Sequence, residues 1–159
     1  MTTIVITGTP GVGKSRLAVA LGKKGFWRLD IHHHYKDLST TYNRSKQCYD
    51  LDMKKVEKLV REKSKEHPKM VVDSHVAHLL PKKEIDLCVV LICSNLKLLQ
   101  RRLEKRGYPK KKIRENLDAE IFQICFLESL ERNHKVIVFD VGRKTSLRKM
   151  VNTIQRNEK

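Results

Sequence analysis

"VITGTPGVGKSRLAVAL", Val5 to Leu21, decides how the rest of the chain is read. Within it, Gly8-Thr9-Pro10-Gly11-Val12-Gly13-Lys14-Ser15 fills the pattern G-x-x-x-x-G-K-S/T. The apolar run "TTIVIT" (2–7) reads as a buried strand, and Leu17, Ala18 and Leu21 follow at helical spacing. Strand, glycine-rich turn and helix in that order make a cradle for phosphate. Glycines let backbone N–H groups turn inward around phosphate oxygens, and the helix N-terminus adds positive potential. Lys14 is placed to reach the β- and γ-phosphates, and the Ser15 hydroxyl to ligate magnesium. A full match in this setting argues for ATP or GTP binding and leaves the reaction open.

Outward from the loop, strands alternate with helices. "FWRLDI" (26–31) reads as a second strand, "KMVVD" (69–73) as a third, "DLCVVLIC" (86–93) as a fourth and "KVIVFD" (135–140) as a last. Met53, Val56, Leu59 and Val60 mark an amphipathic helix ending near Pro68, and Leu96, Leu99 and Leu103 mark another. Leu117, Ile121, Ile124 and Leu127 predict a single further helix, and a basic helix is expected from about Ser146. Residues 32–50 are polar and aromatic without a clean period and read as irregular, with one short helix. The alternation predicts an α/β fold with a parallel sheet covered on both faces. At 159 residues the chain is read as a single domain.

Composition narrows the partners. Lys and Arg total 34 against 18 acidic residues, a net charge of +16. Nucleotide phosphates need only a few cations, so the surplus points to a polyanion such as RNA or an RNA-rich assembly. Cys48, Cys88, Cys93 and Cys125 form no C-x-x-C pair, which excludes a zinc-ribbon pattern and a disulfide scaffold. Cys88, Cys93 and Cys125 lie in apolar sequence as small core residues, and a reducing cytoplasm is expected. No apolar run approaches the ~20 residues of a membrane helix, and no signal peptide is visible.

A phosphate loop of this kind works with a carboxylate at the end of a neighbouring strand. "MVVDSH" supplies Asp73 for the magnesium shell, and alternation puts His75 on the same side. His75 and His78 lack further ligands at a spacing that completes a metal site, and "HHH" (32–34) sends its side chains in different directions. There is no N-K-x-D base-reading motif, which argues against a small GTPase. The chain carries instead "RRLEKRGYPKKK" (101–112), where Arg102 and Arg106 stand four apart and share a helix face. Arginines there are placed to neutralise a transferring phosphoryl group, with Gly107 and Pro109 marking the turn of a mobile lid.

"TGTPGVGKS", "VVDSH", "RLEKRGY" and "ENLDAEIFQ", in this order from about Thr2 to Glu128, resemble the adenylate kinase isoenzyme six family. These are small adenylate kinase-like ATPases of ribosome maturation. The resemblance implies a three-layer parallel-sheet P-loop NTPase of the nucleoside monophosphate kinase type. It also implies a monophosphate-binding segment at about 32–55 and a short lid at about 105–116. ATP phosphates would be held by Gly11, Gly13, Lys14, Ser15 and Arg16. Asp73 and His75 would form the Walker-B-like pair, with Ser15 and Asp73 on Mg2+ and Arg106 as the lid arginine. Lys144, after the last strand, would contact the adenine end of ATP. The monophosphate segment departs from the family, being shorter and more basic, and Lys36 or Arg44 would take the place of its usual arginine. The implied partners are ATP, AMP and ADP, a ribosomal protein of the small-subunit platform and precursor ribosomal RNA. The implied setting is the cytoplasm, or the nucleus of a eukaryote.

Three readings follow. The γ-phosphoryl goes to AMP, giving two ADP, or to water in a ribosome-assembly ATPase, and both activities can coexist. The alternative is a nucleotide-gated RNA-binding or ribosome-assembly module with little kinase turnover.

Overall fold

All five apolar runs form strands, and they join into one parallel sheet. The computed structural model describes residues 1–43 and 48–158. β1 (Thr2–Thr7) lies at the centre, between β5 (Lys69–Asp73) and β6 (Leu87–Ile92). β2 (Trp27–Asp30) is added outside β5 and β7 (Val136–Asp140) outside β6, giving the order β2-β5-β1-β6-β7. Strands buried on both faces read as near-continuous apolar runs, as β1 and β6 do here. Successive side chains still divide by period 2. Ile4, Ile6, Val71, Val89 and Leu91 enter one core layer, while Val5, Met70, Val72, Cys88 and Val90 enter the other.

Helices cover both layers. α1 (Lys14–Gly22), α4 (Leu96–Lys105) and α7 (Leu147–Asn157) supply Leu17, Leu99, Leu103, Met150 and Ile154 to the first. α3 (Met53–Glu66) supplies Val56 and Val60 to the second. Side-chain caps fix several starts: Asp52 accepts from Lys54 and Lys55 N–H, Asn95 from Leu98 N–H, and Ser146 from Lys149 N–H. α1 differs. It begins at Gly13 (φ 99°) and, among the described residues, has neither a side-chain cap nor an acid in its first turn. Its free N–H groups are left for an anion.

Two regions differ from the sequence expectation. After a 3-10 turn (Ile31–His34) and the single turn α2 (Tyr35–Leu38), the supposedly irregular segment forms a hairpin of β3 (Ser39–Asn43) and β4 (Cys48–Leu51). Its register pairs Ser39 with Leu51 and Tyr42 with Tyr49. Polar, β-branched strands carry no apolar alternation, so the period test misses them. Arg44 falls outside the described residues.

The helix expected through Leu117 and Leu127 is broken in two. α5 (Lys110–Ile121) ends, Gln123 turns left-handed (φ 49°), and α6 (Ile124–Glu131) starts afresh. Ile121, Ile124 and Leu127 are 54%, 41% and 49% exposed, so the anticipated core stripe faces outward. The buried positions of the two helices are instead Ile113, Glu120 and Ser129.

α4 and α5 form a helical hairpin joined at Arg106–Pro109, in the place expected for the lid. On its inner side Leu103 is fully buried, and a Cβ built on Gly11 would stand 3.4 Å from it. Leu103→Ala is expected to lower the unfolding free energy by about 2–5 kcal/mol in urea melts and to weaken nucleotide binding. A loss below about 1 kcal/mol would show that the phosphate loop does not rest on this side chain.

Candidate functional site

The connections from β1 and β5 leave their carboxyl ends toward opposite faces of the sheet. α1 packs in the layer of Leu17, whereas Ala77 and Leu80, following β5, pack in the other. A ligand crevice belongs at such a split, and one is present: a cleft of ≈ 910 Å³. The loop lines it with Gly11, Gly13, Lys14, Ser15 and Arg16, β5 and its continuation with Asp73, Ser74 and His75. Arg106, Tyr108, Lys112, Glu115 and Asn116 face it from the α4–α5 hairpin, and Asp30, His32 and Tyr35 from the end of β2. Lys36, exposed on α2, and Lys144, exposed after β7, are not among its lining residues.

Long-range side chains hold the loop in shape. Gly8 passes so near β6 that a Cβ there would lie 2.5 Å from the Leu91 carbonyl oxygen. Thr9 Oγ1 donates to Glu120 Oε2 at 2.6 Å, and the Glu120 Oε1 atom accepts from Cys93 N–H at 2.7 Å. This buried carboxylate therefore ties the loop to the end of β6. Arg102 Nη1 donates to the Gly11 carbonyl at 3.1 Å. Arg102 thus braces the loop, and Arg106 is the arginine of that face that opens onto the cleft. Glu120 escaped the sequence reading because helical periodicity placed Ile121, not its neighbour, inside.

Lys14 Nζ donates to the Gly8 and Thr9 carbonyls at 2.9 and 3.1 Å. Burial lowers its pKa to about 8, although the Asp73 charge opposes the shift. A partly desolvated ammonium surrounded by inward N–H groups favours an anion.

His75 keeps exposed surface, but on the wall of a cleft where protein crowds the ring. Desolvation, then the Lys14 charge, lowers its pKa to about 4, so the imidazole is neutral near pH 7. It can align a hydroxyl or a water but is a weak base. His78 faces the core instead. Its ring nitrogens lie 2.6 Å from Thr7 Oγ1 and 2.7 Å from Glu128 Oε2, which supports the end of β1 from α6. In the histidine triplet, His32 meets Tyr35 edge-on at 4.5 Å and His33 lies 3.7 Å from Asp30, so the three rings do not converge.

The donor set fits magnesium, which prefers hard oxygen ligands and retains water. The Ser15 hydroxyl and the Asp73 carboxylate line the same cleft as Lys14. Asp73, only 4% exposed, is backed by Arg28, whose Nη2 donates to Oδ2 at 2.6 Å. Arg28 had no signature in the sequence, since the pairing joins residues on different strands.

Bound phosphates should raise the Lys14 pKa again. Nucleotide binding is therefore expected to take up a proton, increasingly so as pH rises through about 8, and to weaken there. Titration calorimetry in two buffers of different ionisation heat measures this uptake. Equal heats at that pH would contradict the assignment of Lys14.

With this geometry, the relatives of the chain become informative. Residues 4–123 match a family described as an AAA domain. The chain is 38% identical to a putative adenylate kinase of Methanocaldococcus jannaschii, over 84% of this chain and 75% of that one. It is 33% identical to the adenylate kinase isoenzyme 6 homolog FAP7 of Saccharomyces cerevisiae (96% and 78%). It is 32% identical to the adenylate kinase isoenzyme 6 homolog of Caenorhabditis elegans (90% and 80%). Among solved structures, the fold matches deoxyadenosine kinase from M. mycoides with TM-score 0.60 at 16% identity, covering 98% of this chain and 97% of that one. It matches YorR of Bacillus subtilis with TM-score 0.64 at 15% identity (98% and 94%). These likenesses place the architecture among P-loop NTPases. With its phosphate loop, strand-end aspartate and helical hairpin around one cleft, the chain belongs to the family of nucleotide kinases that includes adenylate kinase isoenzyme 6 and the archaeal putative adenylate kinases.

Proposed function

We propose that the chain is a magnesium- and ATP-dependent adenylate kinase with ATPase activity, converting ATP and AMP to two ADP and hydrolysing ATP when AMP is absent. The observation that carries this reading is the uncapped start of α1, with Lys14 in the loop and Arg106 across the same cleft. Phosphoryl transfer needs little covalent help, because positioning and charge stabilisation suffice. Loop N–H groups and Lys14 grip the β- and γ-phosphates, and Arg16 adds charge at the helix start. Arg106 faces the transferring group from the hairpin turn. Ser15 and Asp73 would hold Mg2+, which screens the phosphate charge when bound. His75, neutral at working pH, aligns the acceptor, whether AMP phosphate or water. Lys36 or Arg44 would meet the AMP phosphate, and Lys144 the adenine of ATP. Residues 32–55 then serve as the monophosphate-binding segment and residues 105–116 as the lid of a single domain.

In the cell this activity would serve late maturation of the small ribosomal subunit, in the cytoplasm or the nucleus of a eukaryote, with a ribosomal protein of the platform. The +16 charge supports a contact with precursor ribosomal RNA. Exposed Lys97, Arg101, Lys105, Lys110 and Lys111 on the α4–α5 hairpin favour a second reading, a nucleotide-gated assembly module with little kinase turnover.

ADP formation measured with and without AMP separates these. AMP-stimulated turnover is expected, lowered at least about a hundredfold in Lys14→Ala. His75→Ala is expected to remove the AMP-independent ATP loss. Turnover unchanged in Lys14→Ala would overturn the reading, and ATP binding with no turnover under either condition would favour the assembly module.

A further inference from the structure

The carboxylate assigned to magnesium already has a cation. Arg28 and Asp30 stand two apart on β2, and the parallel register sets Asp30 beside Asp73 and Arg28 beside Val71. Val71 belongs to the core layer under α1, so alternation puts all three charged side chains on the face that carries the phosphate loop. Arg28 Nη2 donates to Asp30 Oδ2 at 2.9 Å and to Asp73 Oδ2 at 2.6 Å, and Nε reaches the same Asp73 oxygen at 3.2 Å. Among the described residues, both hydrogen bonds from Arg28 to Asp73 fall on Oδ2, so Oδ1 stays outside that pairing. The side chain of Arg28 is 26% exposed on the sheet's outer strand, which gives it room to move.

We propose that Arg28 is a positioning residue that makes metal entry conditional on nucleotide: it offsets one of the two charges of the Asp30–Asp73 pair until incoming phosphates supply the charge that holds a divalent ion. The proposal rests on reading the cleft as a magnesium-nucleotide site. Two carboxylates facing a common space would otherwise present a double negative charge to any dication in solution. One guanidinium leaves a single net charge, and the Lys14 ammonium, close enough to feel Asp73, reduces the attraction further. Magnesium gives up its water reluctantly, so a site with this remainder does not hold it alone. ATP brings the missing negative charge, and the metal then arrives with the nucleotide. Asp73, oriented through Oδ2, offers Oδ1 to the metal's water shell.

The test uses Mn2+ as the probe, with free ion followed by electron paramagnetic resonance in nucleotide-free protein. The wild type and Arg28→Lys are expected to leave Mn2+ largely free. Arg28→Gln should bind it more tightly, on the order of tenfold or more, and adding Asp73→Asn to that variant should reverse the gain. Equal Mn2+ affinity in the wild type and R28Q would overturn the proposal. A second measurement needs no variant: with a non-hydrolysable ATP analogue present, Mn2+ should be held at least about tenfold more tightly than by the analogue alone or by the protein alone, and Mn2+ held no better than by the analogue alone would also overturn the proposal. Failure of the analogue to bind would instead remove the nucleotide reading of the cleft, with the metal-only comparison still deciding the role of Arg28.

Discussion

The close pass of Gly8 against the Leu91 carbonyl is the constraint on which the site depends. A side chain there would collide with the β6 backbone, so only glycine lets β1 turn sharply enough to launch α1 at this point. Once launched, α1 starts at a left-handed Gly13 without a side-chain cap, and its first N–H groups open into the cleft. The surrounding fold preserves that arrangement. Glu120 grips Thr9 from α5, Arg102 holds the Gly11 carbonyl from α4, and Leu99 and Leu103 pack beneath the loop. The hairpin that carries Arg106 is therefore also the brace of the phosphate loop. Any displacement of this hairpin would thus alter the shape of the loop.

Electrostatics sharpens the geometry. Lys14 lies in the loop with its charge partly desolvated, Asp73 is buried at a strand end against Arg28, and His75 is kept neutral by crowding and by Lys14. The uncapped N–H donors of α1 and the Lys14 ammonium are complementary to phosphate. Preorganised charge of this kind is how a protein stabilises a phosphoryl group in flight. With Arg28 and Lys14 set against Asp30 and Asp73, the metal-binding corner of the cleft resists stray divalent ions, which is the part proposed for Arg28.

Much of this was legible in the residues. Motif and spacing point to the phosphate loop, Asp73, His75 and Arg106, and the cleft brings them together. Strands such as "KMVVD" and "DLCVVLIC" were visible because a parallel sheet buried on both faces writes its strands as apolar runs. The β3–β4 hairpin was not visible, since its strands are polar. The break at Gln123 was hidden by an apolar stripe that suits a helix but remains largely exposed. Glu120 and Arg28 act through partners distant in sequence, Thr9 and Asp73, and no local period encodes such contacts. Lys36 and Lys144 lie outside the cleft lining, so what meets AMP and adenine was the least legible part of the site.

If the loop built on the start of α1 delivers the γ-phosphoryl of ATP to an acceptor in this cleft, the phosphorus atom itself reports the transfer. Following a label on the γ-phosphorus tests it most directly. The label should appear in ADP when AMP is present and in inorganic phosphate when it is not. Label that stays on ATP under both conditions, with magnesium supplied, would contradict the account.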